Sequence, residues 1–187
     1  MRALHLAHAW DGWPRHPLLT DECEAICVAV HSTFRKLGNF FREVAPIYRK
    51  YGLKAPSAGT AARNLSEEIE VAIAQHCPAF QKPPTHHDLE RCGEKWEVKI
   101  CQDSGLTINQ SATIRGEHYI VVNYAKATVV PTRIWVLWES QSEWFSPRVA
   151  NANARHIRFR DTPPQARQQL YRLARQRAQD QWLPLPK

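Results

Sequence analysis

The chain has 187 residues, 43% of them apolar and 23% charged, with 25 Lys and Arg against 18 Asp and Glu for a formal charge of +7. That length and composition fit one globular domain with its own core and exclude long disorder, and no run of eighteen apolar residues offers a membrane span. The opening MRALHLAHAWDGWPRH breaks its apolar run with His5, His8 and Asp11, and the five cysteines read as reduced thiols, so the sequence points to a cytoplasmic protein.

Residues 1–18, with Trp10, Trp13, Pro14 and Pro17, read as an irregular arm. From Asp21 to about Val44 the apolar residues Ile26, Val30, Phe34, Leu37, Phe41 and Val44 recur at helical spacing. Thr20 is the expected N-cap, Pro46 the expected end, and Gly38-Asn39 invites a split into two helices. Pro46, Gly52, Pro56 and Gly59 make 45–63 the internal hinge, and a second helix spans roughly Leu65 to His76 before Pro78 stops it. The period then changes. His86 to Ile100 alternates like a hairpin, Thr107 to Ile114 suits a helix, and His118–Tyr124 and Arg133–Trp138 are β-branched and aromatic runs. From Thr162 through Pro163 and Pro164 to about Gln181 the pattern again reads as a helix, with Ala166, Leu170, Leu173 and Ala174 on its stripe. This order predicts an α/β or α+β fold in two parts, a helical region over 1–63 and a core over 64–187, joined as one unit.

Charge is unevenly spread. Residues 1–132 hold 15 basic and 14 acidic side chains, whereas residues 133–187 hold 10 and 4, and nine of those ten cations are arginine. The planar guanidinium fork suits phosphate, so this region is a candidate nucleic-acid surface, with a solvated basic helix as the plainer alternative.

The densest chemistry lies in His86-His87-Asp88-Leu89-Glu90-Arg91-Cys92-Gly93-Glu94-Lys95-Trp96-Glu97-Val98-Lys99-Ile100. With Cys92-Gly93 as a two-residue loop, Asp88 falls opposite Glu97, Leu89 opposite Trp96 and Glu90 opposite Lys95. Alternation then gathers Asp88, Glu97 and Lys99 on one face and Leu89, Trp96, Val98 and Ile100 on the other. Two opposed carboxylates repel unless a cation lies between them. Two carboxylates and a backbone carbonyl, with water and phosphate completing the shell, are a usual way to hold Mg²⁺, with Mn²⁺ as a substitute. A lysine on the same side serves metal-assisted phosphodiester hydrolysis, while an exposed charged hairpin is the bland reading of the same residues.

Asp88 followed by Glu97-Val98-Lys99, after an acidic helix, resembles the PD-(D/E)xK nuclease superfamily, which includes restriction endonucleases, junction resolvases and many repair nucleases. The resemblance covers roughly residues 64–140, with His87-Asp88 standing where the family often has Pro-Asp. It implies a restriction-endonuclease-like core, a central mixed β-sheet flanked by helices. It implies Asp88 and Glu97 as metal ligands, the Val98 carbonyl as a third, and Lys99 as the catalytic lysine. The family often adds a glutamate from the preceding helix; Glu67, Glu68 and Glu70 compete, and Glu68 is preferred because it flanks the Leu65–Ala72 face. The implied reaction is hydrolysis of DNA, duplex first, leaving a 5′-phosphate, with a homodimer as the simplest way to cut both strands. RNA stays open as a substrate.

Around this core, Asn109 and Gln110 are candidates for phosphate or base contacts, with capping by Ser104 or Thr107 as the ordinary explanation. Arg148, Arg155, Arg158 and Arg160 are candidates for phosphate contacts, and His86 for proton transfer. Trp135 and Trp138 differ by three and cannot both point inward on a straight strand, which leaves one to stack on a base or to pack elsewhere. The cysteine and histidine spacings fit no zinc finger or ribbon. Two rivals remain: an inactive nucleic-acid-binding module of nuclease-like fold, and an accessory subunit using its aromatics at a protein interface.

Overall fold

The apolar run around Ile26 forms one long helix, α1 (Thr20–Lys50), in the computed structural model, which describes residues 14–54, 62, 65–84, 89–102, 105–109, 117–125, 130–146, 154–157 and 159–173. Its start is set by charge. The Glu22 carboxylate accepts the Leu19 N–H at 2.6 Å, and Asp21 and Glu22 occupy the first turn, where the helix dipole favours anions. Two expected breaks do not occur. The helix runs through Gly38-Asn39 because the buried stripe of Ile26, Val30, Phe34 and Phe41 continues past it. It also runs through Pro46, since the carbonyl that loses its donor belongs to exposed Arg42, where solvent can replace the bond. The second helix, α2 (Ser66–His76), packs Ile69, Ala72 and Ile73 into the core shared with α1, close to the expected span.

The strands are β1 (Leu89–Arg91), β2 (Glu94–Cys101), β3 (Leu106–Asn109), β4 (His118–Ala125), β5 (Val130–Leu137), β6 (Ala154–Ile157) and β7 (Arg167–Arg172). Five of them form a sheet in the order β1-β2-β4-β5-β7, and β3 pairs with β6 in a separate two-stranded sheet. Within the main sheet β2 and β4 run parallel and the other neighbours antiparallel, so the fold is α/β with a mixed central sheet.

Two expected helices are strands. Leu106 and Ile108 are buried and Thr107 is exposed, a period of two that pairs β3 with β6 over the first three residues of the helix expected at Thr107–Ile114, of which residues 110–114 lie outside the described residues. In the C-terminal region, a 3₁₀ turn at Pro164–Ala166 leads into β7, which lies against β5. The outer edge of β5 needs hydrogen-bond partners, and satisfying it overrides the helical propensity of the Arg- and Gln-rich segment. Thr162, where the expected helix begins, donates its hydroxyl back to the Phe159 carbonyl at 2.7 Å. The expected helix beyond residue 173 lies outside the described residues.

The sheet is covered on both faces. One face meets α1 and α2 through Trp96, Val98, Ile120, Val122, Ile134 and Val136. The opposite face carries Cys101, Tyr119, Val121 and Leu137 against Leu106, Ile108, Ile157 and Phe159. Trp138 joins the first core, 6.3 Å from Trp96, while Trp135 stacks on Phe159 at 4.7 Å on the second. The three-residue spacing thus sends the two indoles to opposite faces. No helix among the described residues is long and apolar enough to cross a membrane.

Candidate functional site

Cys92 and Gly93 occupy the hairpin turn with φ of 53° and 76°, the left-handed pair that a type I′ turn needs. The register follows as expected: Leu89 opposite Trp96, Glu90 opposite Lys95, Arg91 opposite Glu94. Alternation sorts the strand. Trp96 and Val98 are buried among the helices, while Glu97 and Lys99 project from the other face, only partly covered, with Lys99 Nζ 2.5 Å from Glu97 Oε2.

The backbone adds one donor. Glu90 exchanges both of its main-chain hydrogen bonds with Gln81, at 2.8 Å each, so Leu89 and Arg91 turn theirs toward β2. Trp96, opposite Leu89, therefore turns its carbonyl toward β1, and Val98, two residues on, turns its carbonyl to the same edge. Among the described residues no strand pairs with that edge beyond Trp96. A carboxylate, an adjacent ammonium and an outward carbonyl can together engage a hard cation and a phosphate.

The hairpin is anchored to α1. Arg91, buried, pairs with Glu22 through Nε at 2.9 Å and Nη2 at 2.8 Å, and also donates to the His16 and Pro17 carbonyls. For Glu22, burial alone would raise the carboxyl pKa, but the Arg91 hydrogen bonds and charge and the Leu19 amide outweigh it and hold the group below the usual range. Beside this pair, His118 stacks on Trp96 with ring centroids 4.9 Å apart and accepts the Glu139 N–H at Nδ1. Burial, reinforced by Arg91 and Arg15, pushes its pKa down to about 4.

The structure places the expected site residues unequally. Glu97, Val98 and Lys99 lie together on β2; Asp88 and His86 fall outside the described residues. Glu68 is not brought to them. It is exposed and lines a groove between α1 and α2 with Phe40 and Val71, whereas Glu97 and Lys99 project from the far face of the sheet. Glu67 is likewise exposed, and Glu70 is buried and paired with Lys82 at 2.7 Å. Among the described residues no group of three or more His, Cys, Asp or Glu gathers for a metal.

Arg155, expected as a phosphate contact, is instead a structural residue. It is buried, donates to the Ser146 and Ser142 carbonyls at 2.8 Å each, and lies over the Phe145 ring. The alternating burial of β6 turns it inward, which a reading of Arg155 by its charge alone does not foresee. Arg160 is exposed and lines a cavity on the second face. Gln110, Arg148, Arg158 and the side chain of Asn109 lie outside the described residues, with the Asn109 backbone paired to Ala154 in β3. Arg133 and Arg167 also line that cavity and were not singled out from the sequence. The signal was present in Arg133, Trp135 and Leu137 at period two.

Comparison with protein-family models, curated proteins and solved structures returns no match.

Proposed function

We propose that this chain is a metal-dependent endonuclease with a restriction-endonuclease-like core, hydrolysing DNA phosphodiester bonds by in-line attack of water. The observation that carries the reading is Glu97 and Lys99 side by side on β2, with Trp96 and Val98 beside and between them buried in the helix-side core. The donors are hard oxygens, a carboxylate and a strand-edge carbonyl, which suit Mg²⁺ or Mn²⁺ rather than a softer ion. In this reading Asp88 stands opposite Glu97 and completes the pair, and the Val98 carbonyl is the third protein ligand. The bound ion would lower the pKa of water and neutralise phosphate charge. Lys99 holds the attacking water or a non-bridging phosphate oxygen, and its ion pair with Glu97 keeps the ammonium aimed along the strand.

The departure from the expected order is in the segment after Lys99, where Leu106–Asn109 form strand β3 and a helix was expected from Thr107. A second reading, a nucleic-acid-binding module without catalysis, is favoured by the basic cavity on the same face, which needs no metal. The two separate on supercoiled plasmid incubated with Mg²⁺, with Mn²⁺, or with EDTA. The endonuclease gives nicked or linear product only with metal; retarded but uncut plasmid in all three would leave the binding module.

A further inference from the structure

The cavity on the second face has a volume of about 750 Å³ and is lined by Arg133, Arg160, Arg167 and His156 around the stacked Trp135 and Phe159 rings. Its position follows from the sheet register. Lys99, Val121 and Trp135 are successive partners across β2, β4 and β5, so Trp135 lies two strands from Lys99, about 10 Å away at the backbone.

Two independent features call for an anion here. Arg133 and Arg172 are direct partners on β5 and β7, and like charges placed opposite one another are destabilising. Among the described residues neither Arg133 nor Arg167 has an ion pair with a carboxylate, and Asp161, 3.6 Å from Arg160, is the acidic group engaged at this rim. Burial lowers the pKa of Arg167, which Asp161 opposes only through its field. Such a set of forked cations gains most from a phosphate. The aromatic wall supplies the second half of a recognisable ligand. Buried Phe159 stacks on Trp135 at 15° and fixes the indole, which is only partly buried and lines the cavity beside the arginines as a surface for a flat ring.

We propose that this cavity takes one unpaired nucleotide of a DNA strand, its base against the Trp135–Phe159 wall and the phosphates on its two sides on Arg133 and Arg167, which flank Trp135 in the strand register. A duplex presents phosphates to such a recess but keeps its base faces stacked, whereas an unpaired nucleotide presents both. The substrate of the neighbouring site is then DNA with a single-stranded portion. The inference rests on the nucleic-acid half of the proposed function and not on its hydrolytic half.

The test is fluorescence anisotropy with the full chain carrying Lys99→Ala, in EDTA, so that no cleavage enters the reading. The probes are a labelled ten-nucleotide oligothymidylate and a blunt ten-base-pair duplex. The single strand binds at least ten-fold tighter than the duplex, inorganic phosphate competes, and Arg133→Gln with Arg167→Gln weakens single-strand binding at least ten-fold. Trp135→Leu weakens the oligonucleotide but leaves competition by phosphate unchanged. Equal affinity for the two probes, measured without any substitution in the cavity, overturns the proposal even if the arginine variants fail to fold. Plasmid cleavage by the wild type alongside equal affinities would sink this inference and spare the nuclease, and selective single-strand binding without cleavage would do the reverse.

Discussion

The two faces of the central sheet handle charge in opposite ways. On the helix side the one deeply buried charged pair near the hairpin, Arg91 with Glu22, is closed on itself by two side-chain bonds and two backbone carbonyls. On the other face the charges carried by the main sheet's own strands stay open. Glu97 and Lys99 pair with each other within reach of solvent, and among the described residues Arg133 stands opposite Arg172 with no carboxylate partner. A closed network holds the fold, and an open one leaves interaction capacity for a ligand. Substitutions on the first face should therefore act on stability, and those on the second on binding and chemistry.

The largest stability effect is expected at Glu22. Glu22→Gln leaves the Arg91 guanidinium buried without its counter-charge, a loss of about 3 kcal/mol or more, measured by urea unfolding. The His16 and Pro17 carbonyls soften the loss but cannot neutralise the cation. A change below about 0.5 kcal/mol would mean that the first face is not closed as described.

The next effect depends on pH. His118 has its pKa lowered from 6.5 to about 4 in the folded chain, so between those values the unfolded chain binds the extra proton. Stability is full above pH 6.5 and falls as the pH drops toward 4, by about 3 kcal/mol at most. Glu94 Oε2, 3.6 Å from Nε2, works the other way and makes this a ceiling. His118→Gln should flatten that part of the unfolding profile, and an equally steep profile in the variant would assign the dependence elsewhere. The smallest effect is of opposite sign. Arg133→Gln removes a like charge facing Arg172 and should stabilise the free protein by a few tenths of a kcal/mol while impairing strand binding. Loss of stability there would show that Arg133 belongs to a closed network after all.

The hairpin was legible because three local signals agree: a Cys-Gly turn, alternating burial, and a register that follows from both. Trp96 and Val98 are buried and Glu97 and Lys99 face away, as the alternation predicts. The long first helix was legible in its apolar spacing but not in its length, because the effect of Pro46 depends on whether the deprived carbonyl meets solvent. The C-terminal strand was not legible. Leu170 and Ala166 suit a helix stripe as well as a strand, and only the unpaired edge of β5 decides between them. Without that strand the cavity arginines are hidden too, since only the β5–β7 ladder brings Arg133 and Arg167 to one cavity, on either side of Trp135. Arg155 shows the converse, a cation that composition assigns to the surface and alternation buries.

The most direct measurement is the rate of plasmid cleavage in Mg²⁺ by the wild type, Lys99→Ala and Glu97→Gln, each with its thermal unfolding recorded. Both variants should unfold within a few degrees of the wild type, because neither side chain is part of the closed face, and both should lose cleavage by at least a hundred-fold. Variants that keep their fold and cut at the wild-type rate would contradict the assignment of this strand as the hydrolytic centre.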